Sequence, residues 1–456
     1  MNVRFGNDWR RMFDFLSTTL LVYYIVFLPP GHAGLLMPVT SLMLKIVSSP
    51  NLISNGIYLF LFGMKTMGLL GIVLGYPGTG GKIACITGAI IFLSTKKITE
   101  NLKRLNAHFL YLLWIAAVLY LSYLLGPQTS YSREKLIMTI FNGIVLLIGY
   151  YYLINSTSAD WYHIGQLGVI SALLCLGIWV VQYPEVRPFG LIDIGAMRIA
   201  MESNRDILEL RNNVSGMALL GFVLIYSSSP DAFLSFLTRV SLYLYILAAF
   251  IIMSWSGARL PFIIAVTASI LILFTRPRYL KRYVVISSLL IITSVFVVLY
   301  GVSRQIPFIS MVTDKSLAVS YRLNRDINWA AGYRRFIEKP ILGHGLGGYY
   351  IEGYSSPGEG TYAHNLFLEL LSETGVFGTA ILYIPVFLGK VRKTLSFKMR
   401  AENGAVVFPL LCFAFLQAMI SFDLRTSIGL FSICGAIRSK IKYQHNRWTV
   451  ERSNGY

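Results

Sequence analysis

Charge is scarce in this chain. Only 13% of its 456 residues are Asp, Glu, Lys or Arg, against about 25% in a soluble globular protein. In their place, 55% are hydrophobic and the mean hydropathy is +0.61. That balance excludes an ordinary soluble domain and marks an integral membrane protein. Cysteine is rare as well. Cys85, Cys175, Cys412 and Cys434 all fall inside apolar segments with no CxxC or Cys/His spacing, so they read as small buried hydrophobes and suggest neither a disulfide framework nor a metal site. Also missing are a DxD pair for a divalent metal and a nucleotide sugar, an HExxH helix and a GxSxG elbow. Few ionisable residues fall in mid-span apart from Lys45 and Lys65, which is unlike an ion-coupled transporter.

What is there, instead, is one apolar segment after another. Spans are expected near 13–28, 33–48, 57–75, 82–94, 108–125, 136–154, 164–182, 213–228, 239–255, 259–275, 282–302, 375–390, 404–421 and 425–437, each about the length that crosses a bilayer as a helix. Backbone in lipid must satisfy its own hydrogen bonds, and these runs are too long and too uniformly apolar for barrel strands. The expected fold is all-α: a polytopic transmembrane helical bundle of about 12–14 spans with one large extracytoplasmic loop. The first span lacks a small-residue cleavage site before Pro29-Pro30 and reads as a retained helix.

The net charge of +19 invites a nucleic-acid reading, but the charges abut spans. Clusters at Arg4/Arg10/Arg11, Lys96/Lys97/Lys103/Arg104, Arg276/Arg278/Lys281/Arg282, Lys390/Arg392/Lys393/Lys398/Arg400 and Arg438/Lys440/Lys442/Arg447 follow the positive-inside pattern of a membrane protein. Threading the spans with these clusters inside puts both termini in the cytoplasm and the intervals 126–135, 183–212, 254–260 and 303–374 outside. The expected division is a bundle over 1–302, an outer loop over 303–374, C-terminal spans over 375–437 and a cytoplasmic tail over 438–456.

The outer intervals favour arginine over lysine. They hold Arg133, Arg187, Arg198, Arg205, Arg211, Arg259, Arg304, Arg322, Arg325, Arg334 and Arg335 beside Lys135, Lys315 and Lys339. A planar donor array for phosphate or carboxylate accounts for that bias. The competing account pairs them with Asp193, Glu202, Asp206, Glu209, Asp314, Asp326 and Glu338. Arg259 is either an anion contact fixed at a helix end or a side chain snorkelling to the interface. The second half of 183–212 is amphipathic and suits a surface-lying helix.

The largest outer interval has its own grammar. Residues 320–337 have helical character and Pro340 stops them. Gly343-His344-Gly345-Leu346-Gly347-Gly348 then forms a tight loop whose amides either cradle an anion or only shape the chain. It follows no strand, so a dinucleotide fold is not expected. Gly75 to Ile83 imitates a phosphate loop, but its first glycine is misplaced and no Ser or Thr follows Lys82. After a polar stretch with Tyr354 and Tyr362, a short helix begins near His364, and Gly375 and Gly378 open the next span. His364, between a flexible loop and an apolar helix, is placed to take a proton from a hydroxyl. A lone histidine also serves structure; the arginines and loop tyrosines beside it favour function. A metal-free transfer whose leaving portion is a phosphate or pyrophosphate fits what remains.

His364-Asn365 followed by Gly375-xx-Gly378, the Pro340 to Gly347 stretch, Arg322 with Trp329, and Ser256-Gly257-Ala258-Arg259 together resemble the O-antigen polymerase (Wzy-type) and O-antigen ligase superfamily. The resemblance covers roughly residues 250–390 and implies a bacterial inner-membrane glycosyltransferase with a periplasmic active face. Its donor would be a glycan on undecaprenyl pyrophosphate. A polymerase passes the chain to a sugar hydroxyl of another lipid-linked unit, and a ligase passes it to lipid A-core. His364 would be the base, with Arg259 and Arg322 on the departing pyrophosphate. Arg325, Arg334, Arg335, Tyr362, Asn365 and His344 would contact substrate. No cofactor or metal is implied. Donor, acceptor and bilayer are the implied partners, with a chain-length regulator as a further candidate. Polymerase leads, ligase is second, and a transporter is the alternative from another class, disfavoured because no repeat symmetry or mid-bilayer charge is found.

Overall fold

A computed structural model of the chain describes residues 2–27, 32–49, 52–73, 79–94, 98–182, 205–228, 236–255 and 315–387, and 261–265 and 410–436 in part. Every regular element among them is helical. The expected spans over 259–275 and 282–302, about half of 404–437, the first part of the loop 183–212, and the tail fall outside the described residues, apart from 261, 264 and 265. The chain divides into two compact units: residues 1–95 with 156–315, and 96–155 with 316–456.

The first unit contains α1 (Asn2–Phe27), α2 (His32–Val47), α3 (Leu52–Tyr58), a π-helical turn (Leu59–Gly63), α4 (Met64–Val73), α5 (Thr79–Ser94), α8 (Ser158–Gln182), α9 (Arg205–Ser227) and α10 (Phe236–Trp255). Thr79 to Lys82, the end of the phosphate-loop imitation, simply open α5. In lipid the hydrophobic effect does not drive helices together, so close backbone approach and dispersion must do so. The seam between α8 and α9 shows this. A methyl on Gly165 would lie 2.8 Å from the Gly221 carbonyl oxygen, and one on Gly221 would lie 2.8 Å from that of Gly165. Ile164, Leu167, Ile170, Leu173 and Trp179 of α8 are wholly buried. Leu36, Met43, Ile83, Ile86 and Ile90 point outward, as a lipid-facing surface requires and water would penalise. Lys45, an expected mid-span charge, pairs with Asp14 of α1.

The second unit holds α6 (Ile98–Leu125), α7 (Ser130–Asn155), α11 (Lys315–Glu338) and α12 (Leu366–Phe387). Ser130–Asn155 and Leu366–Tyr383, like Ala159–Trp179 of the first unit, are long and apolar enough to cross a membrane. The helix expected over 320–337 is α11, ending just before Pro340. The break expected at Gly375 is present inside α12, where Gly375 has φ 64° and ψ −172°. An all-helical membrane bundle is therefore the fold class, and the second unit positions the residues of interest.

Candidate active site

The site is built around the break in α12. An interrupted helix leaves its last carbonyls and next amides without intrahelical partners, and in lipid each must be satisfied by protein. The turn after α11 does this. His344 N–H donates to Ser372 O at 2.9 Å, Gly345 N–H to Glu373 O at 2.8 Å, and Val376 N–H to Pro340 O at 2.8 Å. Phe377 N–H reaches Ile341 O at 3.2 Å, and Ser122 Oγ of α6 adds a bond to Glu373 O at 3.1 Å. Gly375 is required twice over: its φ is left-handed, and a β-carbon there would sit 2.2 Å from Ile341 O.

Beneath this turn lies a buried ion cluster. Glu369 and Glu373 are four residues apart, hence on one face of α12. Lys135 Nζ, from α7, donates to Glu369 Oε1 at 2.5 Å and to both oxygens of Glu373 at 2.7 and 2.8 Å. All three side chains are fully buried. The peptide of Gly347 donates to Glu373 Oε1 at 3.0 Å, and that of Leu424 to Glu369 Oε1 at 3.3 Å. The question left open for the glycine loop is thereby answered. Its amides from Gly343 to Gly348 are engaged within the protein: five donate to backbone carbonyls, which shapes the chain, and that of Gly347 alone donates to the carboxylate of Glu373.

His364 is the only non-glycine residue of this loop region with positive φ, at 53°. A β-carbon-bearing residue pays for that conformation, so the surrounding contacts hold it. Its ring lies 4.3 Å, centroid to centroid, from that of Tyr362 at a tilt of 53°. Asn365, next in line, is the N-cap of α12: its Oδ1 accepts from Phe367 N–H at 3.0 Å and Leu368 N–H at 3.1 Å. At Gly332 α11 lies close to this segment: a methyl there would be in ordinary contact, 3.4 Å from Leu368 Cβ and 3.6 Å from Ala363 Cβ. The helix expected to supply arginines is thus packed against the residues flanking His364. Asn365→Ser retains a capping oxygen and is expected to keep most activity, while Asn365→Ala loses about 1 kcal/mol of helix stability. Thermal melts and turnover of the two variants separate a cap from a substrate contact, for which serine would fail as badly as alanine.

The remaining candidates fall into two groups. Arg335 is buried, stacks over the Tyr350 ring with Cζ 3.6 Å from its centroid, and pairs with Glu338 at 2.7 Å and Glu352 at 3.7 Å. Arg334 is exposed and meets Glu352 at 3.4 Å. His344 Nε2 lies 3.0 Å from Arg335 O, to which it donates as the Nε2–H tautomer, and 3.3 Å from Glu338 Oε2. Burial lowers its pKa below 6.5, helped by the ammonium of Lys339. For Arg335 the pairing account therefore describes the structure: Glu338 is its partner, with Glu352 in addition. Tyr349 supports the same corner, donating its hydroxyl to Asn328 O at 2.9 Å. Arg325 and Arg322 lie further toward the N-terminus of α11, about one and two turns before Asn328, and Arg259 lies outside the described residues.

Lys135, Glu369 and Glu373 were not singled out by the sequence patterns. The available signal was two carboxylates at i and i+4 in an otherwise apolar helix, which demands a cation.

Comparison with known proteins bears on this same region. Residues 244–383 match the family described as O-antigen ligase, the Wzy_C domain. The exopolysaccharide production protein ExoQ of Rhizobium meliloti (strain 1021) is 26% identical over 112 residues, which cover 22% of this chain and 26% of that protein. The match thus spans about a quarter of the relative's length. No solved structure matches. The break in α12, the buried ion cluster's glutamates, the glycine loop, His364 and α11 all fall within 244–383, and over that segment the chain is similar to the O-antigen ligase and polymerase superfamily.

Proposed function

We propose that this protein is a membrane glycosyltransferase that polymerises lipid-linked oligosaccharide repeat units into surface polysaccharide. The observation that carries the proposal is His364 itself. It is held in a left-handed backbone conformation beside Tyr362, just before the N-terminus of α12 and close to an arginine-bearing helix. The matched domain supplies the reaction class, and the relative's name, an exopolysaccharide production protein, favours a polymer product. The family description favours the second reading, an O-antigen ligase that delivers the glycan to lipid A-core.

In the proposed reaction the imidazole of His364 accepts the proton of a sugar hydroxyl as its oxygen bonds to the anomeric carbon of the donor. The bond from that carbon to the pyrophosphate oxygen breaks, the electron pair leaves with undecaprenyl pyrophosphate, and the anomeric configuration inverts. Arg259 and Arg322 hold the departing pyrophosphate, with Arg325 and Arg334 as further anion contacts. Arg335 and His344, engaged with Glu338 and Tyr350, keep α11 and the loop in place around the substrate. Developing charge is stabilised best by donors already fixed in a water-poor site, and no metal is needed for that step. The active face is periplasmic, both termini are cytoplasmic, and a chain-length regulator is a candidate partner.

Arg259→Lys is expected to lower turnover at least tenfold, because lysine lacks the planar fork that grips two phosphate oxygens. An in vitro transfer assay showing full activity would reduce Arg259 to a snorkelling side chain. A deletion strain tests the function as a whole. Single repeats still joined to lipid A-core, with long chains lost, indicate a polymerase. Loss of every repeat from lipid A-core, with lipid-linked polymer accumulating, indicates a ligase.

A further inference from the structure

One surface of the second unit is used by none of the chemistry above. Helix α11 is polar overall, yet Trp329, Tyr333 and Ile337 recur every four residues, on one face of the helix, and all three are exposed. The opposite face, with Gly332 and Arg335, is buried. The apolar stripe does not stop at the helix end. It continues into Ile341 and Leu342, 70% and 52% exposed, and these are stitched by the Phe377 N–H···O Ile341 bond to Val376 and Phe377, 51% and 61% exposed. Val376 and Phe377 belong to Leu366–Tyr383, a stretch long and apolar enough to cross the membrane. The stripe is therefore continuous with a lipid-facing surface.

A polarity gradient runs along the same line. Asp326, on the stripe's face one turn before Trp329, is exposed and charged; two aromatics with polar edges follow, then purely aliphatic residues. Over the roughly 16 Å of helix between Asp326 and Ile337, that order is water, interface, hydrocarbon. Trp and Tyr favour the headgroup level, with aliphatic residues below and basic residues alongside. Arg334, exposed beside Tyr333, flanks the stripe where lipid phosphates lie.

We propose that the C-terminal half of α11 and the Ile341-Leu342 turn dip into the bilayer interface, so that the helix packed beside His364 is itself a lipid-contacting element. A substrate whose anchor stays in the membrane then reaches the site sideways along this stripe, without leaving the headgroup layer. The lipid contact stands on exposure and continuity alone, independently of the glycosyl-transfer reading.

The test is depth measurement in nanodiscs of phosphatidylethanolamine and phosphatidylglycerol. Nitroxides are attached at Tyr333→Cys, Ile337→Cys and Ile341→Cys, each in a background with the four native cysteines replaced. The control is Tyr354→Cys, on a loop residue 82% exposed. The expected ratio of oxygen to nickel-chelate collision rates rises in the order 333, 337, 341 and exceeds that of the control severalfold at each. A ratio equal to the control places the stripe in water and overturns the proposal. Low collision rates with both reagents place it under protein, a second copy or another partner, and overturn it equally. The cysteine-containing protein gives an independent reading: brominated-lipid quenching is expected to remove the emission that distinguishes it from Trp329→Phe, and an unquenched difference spectrum contradicts the contact.

Discussion

Lys135→Met is expected to be among the most damaging single substitutions outside the reacting groups. The methionine fits the space of the lysine stem but removes a cation bonded to two fully buried carboxylates. Breaking a buried ion pair by deleting one partner costs about 3–5 kcal/mol, because the remaining charge stays uncompensated. Here Glu373 also receives the Gly347 peptide and Glu369 that of Leu424, so the loss spreads to the glycine loop and the chain around 424. Detergent-purified Lys135→Met should melt well below the wild type and lose turnover in proportion. The triple variant Lys135→Met/Glu369→Gln/Glu373→Gln should recover much of the melting temperature, since neutral amides keep acceptor oxygens for the two peptides. A single variant that melts like the wild type would mean the cluster is not what clamps the loop to α12.

His364 carries the second large effect. General-base catalysis contributes about 10²–10⁴-fold, so removal of the imidazole should lower the rate by that factor, or about 3–5 kcal/mol of barrier. Alanine alone is an ambiguous probe. With φ at 53°, it would add backbone strain to the loss of the base, whereas asparagine tolerates the left-handed region. His364→Asn therefore isolates the chemistry. Both variants should remain in the membrane in normal amounts and extend no glycan; an active His364→Asn would make the residue a conformational device.

What the sequence made legible follows from local rules. Apolar runs of bilayer length marked the all-helical membrane class. Pro340 marked the end of α11, and the glycines at 375 and 378 marked a helix boundary that the structure places at Gly375. The site's supports were hidden because they are long-range. Lys135 meets Glu369 and Glu373 across 234 and 238 residues, and in one dimension it looked like a loop cation among arginines. Nor does composition reveal which of several nearby acids an arginine will choose. Arg335 took Glu338, one helical turn away, and also Glu352, beyond the glycine loop. The glycine loop was recognisable as a tight turn, but only the fold could reveal that five of its amides go to backbone carbonyls and one to a carboxylate of the same chain.

The central claim is a transfer reaction with His364 as base, and reconstitution tests it most directly. The purified protein is placed in liposomes with a single defined polyprenyl-pyrophosphate-linked repeat unit and EDTA, and products are read as a glycan ladder together with released polyprenyl pyrophosphate. The wild type is expected to build the ladder with one pyrophosphate lipid released per linkage, and His364→Asn to build none. Equal ladders from the two proteins, or no consumption of the lipid-linked unit by the wild type, would contradict the account.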